Sequence, residues 1–420
     1  MADSVGIGQN SNDLYYQILG LTPPWRICDV KLDMAQNEVR IYVEHDRSAG
    51  RLLCSSCGRE CPGYDIQDER TWRHLDTCQL MTYLVCSLPR VECPVHGVRP
   101  AQAPWAEPNS RFTLLFERFA IAVLEAMKVQ KQAARILRLS PNSIHRLMHR
   151  AVARDLKRRP TDQVIGALTL DKKTIASGHC YVTVLGDGDR DAVLEVLEDR
   201  TLAATETLLE ASVAQDQRQW VKCVTMDMWK PFAAATAKVL PKADIVHDRF
   251  HIAGYLGKAV DETRKAEHAR LSKEGASPLA KSKYLWLKNP EKLTVHQKSL
   301  FLALVANDLD TSKVWAMKEA FKEFFLCEAV DKAQVFFDNW YEQAIVIGSQ
   351  PLAKVANMLK SHLAGLLAYI KHRTTNARAE SMNSKIQALK TTARGYRRFE
   401  NFRIAILFFG RLQLYPYISP

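Results

Sequence analysis

Three acidic residues stand where the chain could bring them to one place. Asp171 closes the apolar run VIGALTLD (164–171), Asp227 closes VKCVTMD (221–227), and Glu380 lies in the first turns of a helix-like run that opens near Asn376. Both apolar runs read as buried strands, so each Asp is expected at a strand terminus. Three carboxylates converging in this way can hold two Mg²⁺ or Mn²⁺ ions about 3.5 to 4 Å apart, one activating an attacking oxygen and one stabilising a leaving oxygen. Isolated acids at strand ends are ordinarily just solvated, so the triad gains meaning only from its surroundings.

A second set of residues suits a different metal. Ten cysteines occur and six of them crowd between Cys54 and Cys93, which in a large chain without secretory features argues for metal rather than disulfides. Cys54-x2-Cys57 and Cys93-x2-His96 each offer two ligands from one tight turn, and together they make the closed four-ligand set of a structural Zn²⁺ site. Gly58 and Gly97 follow these pairs, where a positive φ would turn backbone amides toward the thiolates. Cys61, Cys78, Cys86 and His74 remain as spare candidates, each also readable as an ordinary core residue.

A third group of residues faces a polyanion. VQKQAARILRLSPNSIHRLMHRAV (129–152) sets Ala133, Ala134 and Leu137 on one helical face and Ile144 and Leu147 on the next helix. Ser140 supplies an N-cap and Pro141 the first helical position, so the spacing is that of a helix-turn-helix. In the second helix Asn142, Ser143, His145, Arg146, His149 and Arg150 are the candidate DNA-contacting positions. From Lys128 to Arg159 ten Lys/Arg face the single acid Asp155, a net of +9. From Lys371 to Pro420 ten face Glu380 and Glu400, a net of +8. The chain as a whole carries +12, so the remainder is acidic. Two separate basic stretches favour two contacts with DNA over a merely solvated helix face.

The elements that must carry these groups follow from period and punctuation. A chain of 420 residues exceeds one ordinary core, and 47% hydrophobic with 25% charged residues fits a soluble globular protein. With no run of eighteen apolar residues and no signal-peptide pattern, the expectation is a cytoplasmic protein without membrane partners. Residues 26–44 alternate about an Ala-Gln-Asn break, as in a β-hairpin. APWAEPNS (103–110) reads as a linker into helices that run to about Lys157. Strands are expected at 164–171, 179–187 and 192–199, a helix over 200–217, a strand at 221–227, a helix from about Pro231, and a strand at 243–248. The domains expected are an N-terminal hairpin region (1–50), a zinc-binding β module (51–102), a helix-turn-helix domain (103–160), a catalytic core (161–248), a helical insertion (249–372) and a C-terminal helix with a basic tail (373–420). Three strands, then helix, strand, helix, strand is the order of a ribonuclease-H-like α/β core with a mixed sheet.

The residues Cys54-Ser-Ser-Cys57, the run Arg90 to Val98 containing Cys93 and His96, Pro104-Trp105, Arg111-Phe112-Thr113, Met226-Asp227-Met228-Trp229, Asp248-Arg249-Phe250-His251 and Ala379-Glu380-Ser381-Met382-Asn383 resemble one family over roughly residues 14 to 410. It is the group of bacterial insertion-sequence transposases with an N-terminal zinc-binding domain and a DDE catalytic domain, the IS-L-three group. The resemblance implies a DNA transposase that binds terminal inverted repeats and target DNA and assembles as a homo-oligomer, at least a dimer. It implies two Mg²⁺ (or Mn²⁺) ions per active site on Asp171, Asp227 and Glu380, and structural Zn²⁺ on Cys54, Cys57, Cys93 and His96. The family often has an acid after its first Asp, whereas Lys172 stands here. The pair Asp248-x2-His251 matches a D-x2-H recurring near such active sites, with a capping Asp and a core His as the competing reading. A recombinase using Tyr181, Tyr255 or Tyr396 lacks the Arg/His setting that chemistry needs. The rival of another class is a zinc and helix-turn-helix DNA-binding regulator with an inactive sheet domain.

Overall fold

The computed structural model describes residues 8–46, 52–127, 129–159, 163–176, 180–190, 192–276, 278–374, 377–392, 396 and 398–410; within these, the side chains of 8–11, 173–180, 377–383 and 392 are not described. Two compact units follow one another, the first up to Arg150 and the second from Ala151.

The first unit opens with helix α1 (Gly8–Ile18) and the strands β1 (Trp25–Asp33) and β2 (Glu38–His45). The hairpin turn between them forms because the Asp33 carboxylate accepts from the amides of Ala35 and Gln36, both at 3.0 Å, and Asn37 takes a positive φ of 54°. Short strands follow: β3 (Leu52–Leu53), β4 (Glu60–Cys61), β5 (Gly63–Ile66), β6 (Arg70–Arg73), β7 (Met81–Cys86), β8 (Pro89–Cys93) and β9 (Gly97–Pro100). The expected hairpin is therefore present, but it does not stand apart. Strand β2 pairs in parallel with β7, setting Ile41 opposite Leu84, in a sheet of order β1-β2-β7-β6 that crosses the boundary expected near residue 50. Trp25, Ile41, Trp72, Leu84 and Trp105 fill its core, with Trp105 edge-on to both other indoles at 4.9 and 5.6 Å. The remaining strands form the ribbon β3-β4 and the sheet β5-β8-β9. Helices α2 (Leu114–Met127), α3 (Gln130–Leu137) and α4 (Pro141–Arg158) complete the series.

The second unit is built on strands β10 (Ala167–Ala176), β11 (Cys180–Asp187), β12 (Ala192–Glu198), β13 (Cys223–Met226) and β14 (Asp244–His247) in the order β12-β11-β10-β13-β14. The first three strands are antiparallel neighbours and β13 and β14 join in parallel. Parallel neighbours need crossovers, and α5 (Leu202–Ser212) and α6 (Lys230–Val239) supply them. Leu168, Leu170, Leu185, Leu208, Val224 and Phe232 make the shared core. Strand β13 is buried along its whole length, which is why it reads as a continuous apolar run rather than an alternation.

From Arg249 onward the expected helical stretch is present as α7 (Arg249–Lys273), α8 (Lys283–Leu287), α9 (Val295–Val305), α10 (Asp310–Ala320), α11 (Val330–Val346), α12 (Gln350–Ser361) and α13 (Leu363–His372). It has a core of its own, dominated by Trp286, Phe301, Phe321, Phe324, Phe337 and Trp340. Helices α14 (Ala377–Thr392) and α15 (Phe399–Gly410) follow. Arg403 of α15 donates to both carboxylate oxygens of Glu195 on β12 at 2.8 and 2.6 Å, tying the last helix to the sheet edge. Among the described residues no helix is long and apolar enough to cross a membrane.

Candidate active site and metal cluster

Strand register brings two of the three predicted acids together. Leu170 of β10 pairs with Met226, the last residue of β13, so the residues that follow, Asp171 within β10 and Asp227 just past β13, come to the same level. Asp227 stands at its strand's end as expected. Asp171 does not: β10 continues to Ala176 alongside β11, and Asp171 sits opposite Val184 in mid-strand. The physical reason is that the β10–β11 hairpin outruns the parallel part of the sheet, so Asp171 lies at the point where its neighbour β13 stops. Asp171 still comes level with Asp227, but the strand-end placement is corrected.

Around these acids the chain supplies further groups. Asp227 is 3% exposed. Its Oδ2 accepts from Lys172 Nζ at 2.7 Å, and its Oδ1 accepts from the Met228 amide at 2.7 Å and from the Tyr255 hydroxyl at 3.1 Å. Asp171 Oδ1 accepts from the Lys172 amide at 2.7 Å. The His251 ring lies among three carboxylates, with Nε2 at 3.9 Å from Asp171 and 3.8 Å from Asp248, and Nδ1 at 3.9 Å from Asp227. Asp248 caps α7 through Phe250 N–H at 2.6 Å, so the capping reading of Asp248 holds and His251 one turn later faces the acids.

Burial alone would raise the pKa of Asp227. The Lys172 hydrogen bond, the charges of His251 and Lys172 and the Met228 amide outweigh it and hold the carboxyl below its usual value. The Tyr255 phenol is pushed up to about 12 by burial and then by the Asp227 charge and hydrogen bond, so it stays a donor. Tyr255 therefore serves a carboxylate rather than acting as a nucleophile.

Helix α14 carries Glu380, whose side chain lies outside the described residues. The approach to that helix is fixed. Asp244 on β14 accepts from Lys371 and pairs with His372, both at 2.7 Å, and Thr374 lies 3.5 Å from Thr225 of β13, oxygen to oxygen. The chain thus arrives beside Asp227's own strand just before α14 begins at Ala377.

In the first unit the ligand atoms of Cys54, Cys57, Cys93 and His96 all lie within 4.8 Å of one another. Cys57 and Cys93 sulfurs are 3.8 Å apart and Cys93 Sγ is 3.6 Å from His96 Nδ1. Gly58 and Gly97 adopt φ of 67° and 66°, the left-handed turns that a side chain would strain. The Cys93 thiol is lowered to about 6, chiefly by the Val95 amide, against burial and with help from His96 and Cys57. A thiolate-forming, four-donor cluster of this composition fits Zn²⁺. The spare candidates fall outside that ligand set. Cys61 packs beside it, Cys78 is exposed, Cys86 is core, and buried His74 bonds Thr113 Oγ1 at 2.9 Å.

The helix-turn-helix forms as its caps dictate. Helix α3 stops at Arg138 in the left-handed region, and Ser140 Oγ accepts from Ser143 N–H at 3.1 Å to start α4 at Pro141. Ala133, Ala134, Leu137, Ile144 and Leu147 are buried, as the period requires. The six candidate positions divide. Asn142, Arg146 and His149 are exposed along one face, whereas Ser143 is engaged in the cap. Arg150 pairs with the buried Glu117 of α2, which also bonds Ser110 at 3.1 Å; His145 is half-buried.

Comparison with known families follows the same three parts. Residues 168–406 match a family model described as a transposase, the DDE domain of the ISL3 group. Residues 101–152 match the helix-turn-helix domain of transposase family ISL3, and residues 51–96 the zinc-finger of the transposases of IS204, IS1001, IS1096 and IS1165. The chain belongs to the ISL3 transposase family. The transposase of insertion sequence element IS1001 from Bordetella parapertussis is 26% identical over 359 residues, covering 84% of this chain and 88% of its own. That of IS1557 from Mycobacterium tuberculosis (strain CDC 1551 / Oshkosh) is 24% identical over 411 residues, covering 91% and 92%. In this ISL3 transposase the acids stand with partners that the sequence left unassigned, Lys172 and Tyr255. A Lys directly after the first Asp was a usable signal for the former; a Tyr one helical turn beyond His251 was the signal for the latter.

Proposed function

We propose that this transposase binds the terminal inverted repeats of an insertion sequence and cuts and rejoins DNA through Asp171, Asp227 and Glu380. The observation that carries the reading is the emergence of Asp171 and Asp227 at one level from adjacent parallel strands, inside the segment matching the DDE domain. The strand order β12-β11-β10-β13-β14, antiparallel and then parallel, supports a ribonuclease-H-like core. Thr374 against β13 supports Glu380 as the third acid arriving on α14.

The donor set fits hard divalent cations, because Asp171, Asp227 and Asp248 present carboxylate oxygens around one ring and the Lys172 ammonium already stands on Asp227 as a cation. Two Mg²⁺ or Mn²⁺ ions held by the triad would supply activation of the attacking oxygen and charge neutralisation of the leaving one. The protein's share is positioning: Met228 N–H, Tyr255 and Lys172 fix the Asp227 carboxylate and keep it ionised. Asp248 anchors the helix end that carries His251, which suits an accessory role in orienting DNA or in proton transfer. A 3′-hydroxyl freed by cleavage attacks target DNA directly, so no covalent protein intermediate is needed.

Structural Zn²⁺ on Cys54, Cys57, Cys93 and His96 holds the N-terminal module, and Asn142, Arg146 and His149 read the ends with phosphate contacts from the basic segments. Assembly on paired ends calls for at least a dimer. A duplex carrying an element end tests the class of activity: nicking that appears with Mg²⁺ and stops with chelator is expected. Tight end binding without nicking in either metal would favour a DNA-binding regulator.

A further inference from the structure

We infer that Lys172 is an internal cation occupying a metal-facing oxygen of Asp227, so that a divalent ion must displace it to bind. The inference rests on the proposal that Asp227 is a metal ligand. Asp227 is 3% exposed, and a carboxylate that deep needs a counter-charge whenever no metal is bound. Lys172 meets the need: its Nζ is 2.7 Å from Oδ2, while Oδ1 is served by Met228 N–H and the Tyr255 hydroxyl. The two carboxylate oxygens are thus treated differently, one held by neutral donors and one by a charged ammonium.

A Mg²⁺ ligand bond is about 2.0 to 2.1 Å long. An ammonium 2.7 Å from the same oxygen occupies the approach such an ion would take, and like charges at that range repel. Oδ1 already accepts from the Met228 amide and the Tyr255 hydroxyl, with the His251 ring 3.9 Å away, so Oδ2 is the oxygen left for a metal ion.

Lys172 is built to leave. Its side chain is 24% exposed, and the ammonium passes 5.1 Å from the Trp229 ring centroid, a face that can hold a cation without binding it irreversibly. Its backbone amide donates to Asp171 Oδ1, so the residue stays anchored beside the other acid when the amine swings away. An acid at this position would add a ligand; the Lys instead makes metal entry an exchange of cations.

The test is Mn²⁺ binding without DNA, by calorimetry on the full-length, zinc-loaded protein, for wild type, Lys172→Met, Lys172→Arg and Asp227→Asn. Lys172→Met should bind Mn²⁺ roughly tenfold more tightly than wild type, about 1.4 kcal/mol. Its metal-free melting temperature should fall and recover with Mn²⁺ by a larger shift than wild type shows. Unchanged or weaker Mn²⁺ binding by Lys172→Met, with binding lost in Asp227→Asn, overturns the inference and leaves the triad standing. Equal binding by Asp227→Asn and wild type overturns both. Should Lys172→Met not fold, Lys172→Arg decides: its planar fork clasps a carboxylate more firmly, so weaker Mn²⁺ binding than wild type is expected, and equal or tighter binding overturns the inference.

Discussion

Arg150 sits on the helix proposed to read DNA, yet its guanidinium is committed to Glu117, and Arg150→Ala should therefore unsettle the fold rather than base reading. The Glu117 side chain is 4% exposed and that of Arg150 30%. Removing one partner of a fully buried pair costs about 3 to 5 kcal/mol, and water access on the Arg150 side lowers this to roughly 2 kcal/mol. Loss of the Arg150 contact with the Phe112 ring, 5.7 Å from its centroid, adds little at that range. Amide hydrogen exchange in α2 and α4 is the suitable assay, because a chain of two compact units need not unfold in one step. Protection there should drop by about 2 kcal/mol in Arg150→Ala and recover by at least half in the double variant with Glu117→Gln, which removes the buried charge. Arg146→Ala should leave the same amides within about 0.5 kcal/mol. Unchanged protection in Arg150→Ala, together with a loss of discrimination between cognate and random duplexes, would refute the reasoning and return Arg150 to the DNA-reading set.

Other expectations test separate parts. Arg146→Ala should cost about 1 to 3 kcal/mol on the cognate end and relax discrimination, while Lys157→Ala should weaken all duplexes alike and flatten the salt slope; equal losses on both duplexes from Arg146→Ala would remove the recognition-face assignment. Cys57→Ser should release one Zn²⁺ per chain and unfold mainly residues 50 to 100, because metal binding there is folding energy; undiminished zinc by metal analysis would shift the ligand set toward Cys61. Burial, with the Arg73 charge, holds the His74 imidazole down to about 4 from an ordinary 6.5. Only the unfolded chain then takes up a proton between these values, so stability from this group is full above pH 6.5 and falls as pH drops toward 4. His74→Gln should flatten that part of a pH series of urea midpoints, and an unaltered acid limb would assign the loss to other groups.

Much of this architecture was legible because its signals are local. The five strands of the second unit announced themselves by apolar runs, the turn at Ser140-Pro141 by capping chemistry, and the zinc cluster by two knuckles with glycines behind them. What escaped was set by contacts distant in sequence. The parallel pairing of β2 with β7 joins residues about forty apart and has no signature in either strand, so the hairpin looked like a region of its own. Asp171 was expected to end its strand because the apolar run stops there. The strand continues because its hairpin partner β11 still supplies hydrogen bonds opposite Lys172 and Lys173. Lys172 registered only as a departure from the family pattern, since periodicity does not reveal that a side chain curls over the end of a neighbouring strand onto Asp227. Sequence alone offers two readings for Asp248 and His251; the Asp does cap α7, but the His is not a core residue and instead lies beside the acids.

The central claim, that this carboxylate set performs strand cleavage, is tested most directly by single-turnover nicking of an end-containing duplex by Asp171→Asn, Asp227→Asn and Glu380→Gln in Mg²⁺. Each variant must first bind the duplex as the wild type does. All three are expected to bind normally and none to cleave, with partial rescue by Mn²⁺, if metal ligation and DNA recognition reside in different segments as proposed. Cleavage at the wild-type rate by all three would contradict the claim; wild-type cleavage by Asp171→Asn alone would move the first ligand elsewhere, with Asp248 the next carboxylate beside His251.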